Sequence, residues 1–218
     1  MTQIAWQPRL FDAGAKPRFD ATFATRVRTP LDATSWIELV PGWLANPDAL
    51  FAELLDALPW EQRERYMYTG MVTEPRLTAE LDGFADAPTP LLAEAAQILS
   101  THYGVRYDGL WCNLYRDGRD STAWHGDRIS CQREDCIVPV LTLGSSRRFL
   151  VKPREGGPSL VLRPQAGDLV VMGGRCQRDF VHSVPKTAEP CGARISLNFM
   201  SREQGFGRER RTRRALGV

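Results

Sequence analysis

From Leu110 onward the chain is a succession of short apolar or alternating runs, at 111–116, 122–128, 136–143, 147–152, 159–162, 168–172, 179–183 and 194–200. Turn signals separate them, among them Arg116-Asp117-Gly118, Glu155-Gly156-Gly157-Pro158 and Ala166-Gly167-Asp168. Such residues supply the left-handed or side-chain-bonded conformations that tight turns need. Eight short strands with Gly-rich turns restrict the second half of the chain to a sandwich, a barrel or a jelly roll.

The first half is built differently. Trp36 to Val40 reads as a strand, ended by Pro41-Gly42. Asn46-Pro47-Asp48 opens a helix, and Leu50, Phe51, Leu54, Leu55 and Leu58 recur on one face before Pro59 stops it. A second helix runs from Pro88 to His102, with Leu91, Leu92, Ala95, Ile98 and Leu99 on its apolar face. The expected fold is mainly β with flanking helices, an α+β arrangement in which the helices buttress one face of the sheet. Residues 1–35, rich in Pro and polar residues, are expected to be irregular. Residues 36–201 are expected to form a single domain, and 202–218 a basic tail. Residues 60–81 mix aromatics, Arg, Gly and Pro without periodicity, the pattern of a loop or short hairpin with a function.

Composition excludes little. The 43% hydrophobic and 25% charged residues suit a soluble globular protein. No apolar run approaches the roughly 18 residues that span a membrane. Neither a signal-peptide core nor an even, regularly spaced set of Cys is present, so five free thiols in a reducing, cytoplasmic setting are expected. The net charge of +2 is uneven: Arg202 to Arg214 holds six Arg and two Glu, or +4, leaving about −2 for the rest. A tail of that sign can hold phosphates or stay a solvated extension.

Chemistry concentrates at Trp124-His125-Gly126-Asp127. A His and an Asp two residues apart on a strand face the same side. The chain has three His, and His182, beside another predicted strand, is available as a third ligand. Two imidazoles and a carboxylate make a facial triad, which leaves about three positions open on an iron(II) ion. Other readings of these residues remain open: zinc with three protein ligands and a water, or a His held structurally by a nearby Asp. Cys131 and Cys136, with no second pair after them, are read as incidental.

Longer stretches narrow the choice. The segment Asn113-Leu-Tyr115 through Trp124-His125-Gly126-Asp127 resembles the AlkB family of iron(II)/2-oxoglutarate dioxygenases. So do Leu143-Gly144-Ser-Ser-Arg147-Arg148-Phe149, Gly167-Asp168-Leu169-Val-Val-Met172, Gln177 to Lys186 and Arg194-Ile-Ser196-Leu-Asn-Phe199. Upstream, Glu74-Pro75-Arg76-Leu77-Thr78 is similar to a segment of that family's nucleotide-recognition lid, here about 60–81. The resemblance covers roughly residues 60 to 200, with the motifs in order.

The resemblance implies a double-stranded β-helix with iron(II) on the catalytic residues His125, Asp127 and His182. It implies 2-oxoglutarate held by Arg194 and Tyr115, with Asn113 near the iron-proximal end and Ser196 beside it. Arg suits this role because its planar fork pairs a carboxylate bidentately. Two departures stand out. The family's second Arg, six residues after the first, is Met200 here. Arg202 shares that strand face roughly 6.6 Å further along, from where its long side chain could reach back, or a water could fill the place. The acidic residue that follows the family's His-x-Asp is Arg128, which cannot accept a hydrogen bond from an exocyclic amine. For the substrate, Trp60, Arg63, Tyr66, Tyr68, Arg76, Trp124 and Arg128 offer aromatic faces and cations for a flipped base and its phosphates. Arg147 and Arg148 are expected to line the same groove.

The function expected is oxidative demethylation of N-alkylated nucleobases in DNA, with RNA as a further polymer, using oxygen and releasing formaldehyde, succinate and carbon dioxide. A monomer without membrane contact is expected. The alternatives are the same oxygenase chemistry on a protein or small molecule, kept alive by Arg128, and a non-catalytic jelly-roll binding protein.

Overall fold

The computed structural model describes residues 4, 15–67, 70–127 and 131–205. Its elements in chain order are β1 (Arg18–Phe19), β2 (Val27–Pro30), β3 (Ser35–Val40), β4 (Leu44–Ala45), α1 (Asp48–Ala57), β5 (Glu61–Met67), β6 (Gly70–Leu81) and α2 (Pro90–Tyr103). Then follow β7 (Gly109–Tyr115), β8 (Thr122–His125), β9 (Val138–Gly144), β10 (Phe149–Pro153), β11 (Leu160–Leu162), β12 (Leu169–Gly174), α3 (Cys176–Asp179), β13 (Phe180–Val184) and β14 (Arg194–Met200).

Eight strands form one antiparallel sheet in the order β2-β3-β12-β9-β14-β7-β6-β5, and four form a second in the order β11-β10-β13-β8. This is a jelly roll, and sequence periodicity says which side of the large sheet each residue takes. Along β14 and β7, Ile195, Leu197, Phe199, Leu110, Cys112 and Leu114 join the helix-side core, where α1 contributes Leu50, Phe51 and Leu54 and α2 contributes Leu92, Ala95 and Leu99. The alternate residues face the small sheet. Tyr115, Val138, Val140, Val170 and Met172 there meet Phe149, Val151, Phe180 and Val184 in a second core. Each fully buried aliphatic of this kind is worth about 1.5–3 kcal/mol.

The helices begin and end on sequence signals. Pro90 sits in the first turn of α2 and Thr89 takes the N-cap, while Gly104 closes the helix at φ 66, in the left-handed region where a Cβ is strained. Both helices lie within a few residues of their expected limits.

Three expectations are corrected. Residues 1–35 are not uniformly irregular: β1 pairs with β4, β2 adds to the edge of β3, and Phe19 and Phe23 are buried. Those strands are too short for periodicity to show. Of the loop or short hairpin expected at 60–81, the hairpin holds but is long: β5–β6 is antiparallel and joins the large sheet through β6 and β7. The five Cys are not all free thiols. Cys131 and Cys136 are disulfide-bonded across a tight turn that brings their Cα atoms to 5.9 Å, whereas Cys112, Cys176 and Cys191 are free. Among the described residues, no helix is long and apolar enough to cross a membrane.

Candidate metal centre

His125 ends β8, and His182 sits directly across from it on β13. The ring centroids lie 4.2 Å apart. Asp127, just beyond β8, places one carboxylate oxygen 3.3 Å from His125 Nε2 and the other 3.4 Å from His182 Nε2. The three ligand atoms all lie within 4.8 Å of one another. A register shift between His182 and Val184 turns both Thr122 and His125 inward.

The protonation states suit a metal. His125 Nδ1 is 2.8 Å from the carbonyl of Ala123. A carbonyl only accepts, so Nδ1 carries the proton and Nε2 presents its lone pair to the site. Burial, opposed in part by the Asp127 carboxylate, pushes His182 down to about 4, so its imidazole is neutral. Burial also works against the charge on Asp127, but His182 and His125 outweigh it and hold the carboxyl down at about 2. For His125 the largest influence is again burial, which lowers it. The Asp127 carboxylate and the Ala123 carbonyl prevail and the net shift is upward. Two imidazoles and one carboxylate, all on one side of the site, match the donor set of a non-haem iron(II) centre.

The large sheet supplies the second half. Arg194, Ser196 and Asn198 on β14 stand opposite Tyr115, Asn113 and Trp111 on β7. Arg194 is 2% exposed; its Nη2 donates to Thr142 Oγ1 at 3.2 Å, and the Tyr115 side chain acts on it as well. Its Nε and Nη1 reach no acceptor among the described residues. Burial lowers its pKa, Tyr115 works against that fall, and the charge of Arg147 adds to it. A buried, two-thirds-unpaired guanidinium is costly unless an anion neutralises it. The far carboxylate of 2-oxoglutarate fits this place, through the paired donors that Arg offers. Tyr115 packs under the Arg194 guanidinium, 5.2 Å from ring centroid to carbon, and its hydroxyl is 2.7 Å from Thr122 Oγ1. Asn113 donates to Ser196 Oγ at 3.2 Å and accepts from Arg76 Nε at 2.9 Å and Trp111 Nε1 at 3.1 Å.

The expected substrate residues divide. Arg76 is at the site: it holds Asn113, pairs with Glu74 at 3.2 Å, and its charge acts on both His125 and Asp127. Arg63 lies 4.3 Å over the Trp111 ring and 3.6 Å from Glu80. Trp60 does not join them, because its indole N–H donates to Leu55 O of α1 and the ring packs on the helix-side core. Trp124 is half-exposed beneath the Lys152 ammonium, 4.3 Å away, on the sheet face opposite the metal. Lys152 alternates with Val151, which faces the core across from His182. Tyr68 and Arg128 lie outside the described residues, as does the side chain of Tyr66.

Two further arginines are corrected. Arg202 does not reach back to the co-substrate; it is bound to Asp82 and Asp108 at the surface. Those acidic partners follow β6 and precede β7, and no strand-face argument reveals them. Arg147 does not line a groove. It is buried and donates to the carbonyls of Asp117, Asp120 and Pro185. Residues overlooked in the sequence include Trp111, which the two-residue period would have placed beside Asn113, and Thr142, Thr122 and Gln177, whose roles need the fold.

Known proteins agree with this geometry. The family model of the 2OG-Fe(II) oxygenase superfamily matches residues 52–200. The alpha-ketoglutarate-dependent dioxygenase alkB homolog 3 of Bos taurus is 31% identical over 183 residues, covering 74% of this chain and 64% of its own length. The chain thus spans less than two thirds of that relative. The DNA oxidative demethylase ALKBH2 of Arabidopsis thaliana is 31% identical over 121 residues, covering 44% of this chain and 38% of its own length. Among solved structures, a 2OG-Fe(II) oxygenase family oxidoreductase from Burkholderia pseudomallei superposes with a TM-score of 0.53. It is 20% identical and the match covers 84% of this chain and 88% of that one. OsALKBH1 gives 0.56 at 13% identity, covering 79% and 100%. At those identities the superpositions establish the fold alone. With two imidazoles and a carboxylate gathered at one site, a buried Arg on the large sheet and a profile match over most of its length, the chain belongs to the 2OG-Fe(II) oxygenase superfamily and, within it, to the group of the alkB homologs.

Proposed function

We propose that the chain is an oxidative demethylase of N-alkylated nucleobases, with DNA as the first polymer to test and RNA as the second. The observation that carries this reading is the Arg76 guanidinium at the metal centre, hydrogen-bonded to Asn113 and borne on a hairpin that also carries Arg63 over Trp111. Cations and an aromatic face beside an oxidising centre suit a flipped base and its phosphates. The names of the relatives, a dioxygenase alkB homolog and a DNA oxidative demethylase, support the same substrate class.

When bound, iron(II), 2-oxoglutarate and oxygen supply the oxidation of an N-methyl group, which leaves as formaldehyde while succinate and carbon dioxide form. The chain's own residues bind and orient. His125, Asp127 and His182 would hold the metal, their ligand atoms lying within 4.8 Å of one another. Arg194 neutralises the co-substrate's far carboxylate. Phe149, 5.4 Å from His182, shields that imidazole from water. Arg76, fixed on Asn113 and paired with Glu74, brings its guanidinium close enough for its charge to act on His125 and Asp127.

The test is formaldehyde release from single- and double-stranded DNA and RNA oligonucleotides carrying 1-methyladenine or 3-methylcytosine, with iron and 2-oxoglutarate supplied. Release is expected from at least one of them, with one succinate formed per formaldehyde. Turnover of 2-oxoglutarate that no oligonucleotide accelerates, with no formaldehyde, would discard the nucleobase reading in favour of a protein or small-molecule substrate.

A further inference from the structure

Asp127 presents a problem of support. His125 and His182 are fixed by paired strands, but β8 ends at His125 and Asp127 lies beyond it. Its carboxylate must nonetheless stay between the two imidazoles.

The backbone of Asp127 is held at both ends. Its carbonyl accepts from the Cys131 amide at 2.9 Å. Its own amide donates to Gln177 Oε1 at 2.8 Å. A backbone N–H can only donate, so the amide oxygen of Gln177 must face it. The Gln177 amide nitrogen turns to Met172 Sδ, 3.4 Å away. The side chain is 1% exposed, so water does not substitute for either contact.

The neighbouring glycine reports how close the loop lies to this residue. A Cβ added at Gly126 would stand 2.6 Å from the Gln177 carbonyl oxygen and 2.8 Å from Arg154 Nη2. Only glycine lets the His125-Gly126-Asp127 segment lie this near α3. That short helix is itself clamped, because Arg154 donates to the carbonyls of Arg178 at 2.7 Å and of Gln177 and Phe180 at 3.3 Å. From α3 the chain runs straight into β13, which carries His182 five residues after Gln177.

We infer that Gln177 is a positioning residue of the metal centre: its buried side-chain oxygen fixes the Asp127 backbone to the helix that leads into the His182 strand, and so sets the spacing of two ligands. Gln177 does not touch the metal and acts through Asp127. The inference rests on the iron site and is independent of which substrate is oxidised.

The experiment titrates Mn(II), a redox-silent stand-in for iron(II), into purified full-length protein and follows free Mn(II) by its paramagnetic resonance signal. Gln177→Met keeps the side chain's length and removes the acceptor. It is expected to weaken Mn(II) binding 10- to 100-fold, the usual effect of losing a group that orients a ligand. Gln177→Glu restores an acceptor oxygen at the same place and is expected to bind within about threefold of the parent. Leu99→Ala, in the helix-side core, is the control for lost stability and is expected to keep the parent's affinity. If Gln177→Met does not fold, Gln177→Asn carries the same expectation, since it keeps the amide but draws the oxygen back by one methylene. Unchanged affinity in the Met or Asn variant would overturn the inference. So would a Glu variant no better than Met, or a Leu99→Ala variant that loses metal equally.

Discussion

Arg194 brings a positive charge into the interior, and its Nε and Nη1 reach no acceptor among the described residues. A buried charge of this kind opposes folding, and a docked carboxylate would neutralise it. Arg194→Met is therefore expected to raise Tm in the absence of co-substrate while increasing the KM for 2-oxoglutarate at least tenfold, or about 1.4 kcal/mol of binding. Thermal melts and steady-state kinetics read the two effects separately, and a fall in Tm with unchanged KM would make the residue structural. His182 gives a pH dependence. Its native pKa is about 4 against an ordinary value near 6.5, so in metal-free protein the unfolded chain binds the proton more readily within that window. Stability is present above the unfolded value and lost as pH falls through the window toward 4, by at most about 1.4 kcal/mol per unit. His125, shifted upward, works in the opposite sense, so the measurement is the difference between parent and His182→Asn melts from pH 7 to 4.5. The difference should shrink toward acid pH; a constant difference would contradict the assignment. At this scale residue type made His125, Asp127, His182 and Arg194 readable as candidates, and the fold gathers the first three within 4.8 Å of one another and buries the fourth. The sequence misled where a long side chain chooses among partners, as Trp60, Trp124 and Arg202 do.

The elements show why some structure was legible and some was not. Strands β7 and β14 each read as two interleaved sets, apolar toward the helices and polar toward the small sheet, because the side-chain period of a strand is 2. That alternation made both their existence and their facing readable. The hairpin β5–β6 gave no such reading, since its polar residues, Arg63, Glu74, Arg76 and Glu80 among them, interrupt any apolar alternation. The Cys131–Cys136 link was hidden for another reason. Five Cys at irregular spacing contain no pairing information, and only the fold of the 131–136 turn brings these two together. The turn is tied in several directions: the Cys131 amide binds Asp127 O, the Cys136 amide binds Gly174 O, and Gln204 brackets Ile137 through its side chain. Closing a loop this short stabilises by about 2 kcal/mol in the chain-entropy model. Dithiothreitol is thus expected to lower Tm by several degrees in the parent. The Cys131→Ser/Cys136→Ser double variant should melt at the reduced parent's temperature with or without reductant. A parent whose melting ignores dithiothreitol would show that the link contributes nothing.

At the scale of the molecule, the site is a seam between two sheets. The four-stranded sheet and the loop after β8 carry the triad, whereas Arg194, Tyr115, Asn113 and Ser196 belong to the eight-stranded sheet. Sequence order alone shows the ligands but not this division, because which strands share a sheet depends on pairings between distant segments. The division has a thermodynamic consequence. A metal ion would bind ligands of the small sheet and of the loop after β8, while 2-oxoglutarate touching both the metal and Arg194 would tie one sheet to the other. Any ligand that binds the native state alone stabilises it, by about 2.7 kcal/mol at a hundred times its Kd. Mn(II) by itself should raise Tm modestly and protect the amides of β8 and β13 from hydrogen exchange. Adding 2-oxoglutarate should raise Tm again and extend protection to β7 and β14. In Arg194→Met the first increment should persist and the second vanish. If the second increment survives that substitution, the carboxylate docks elsewhere and the seam is closed by other residues.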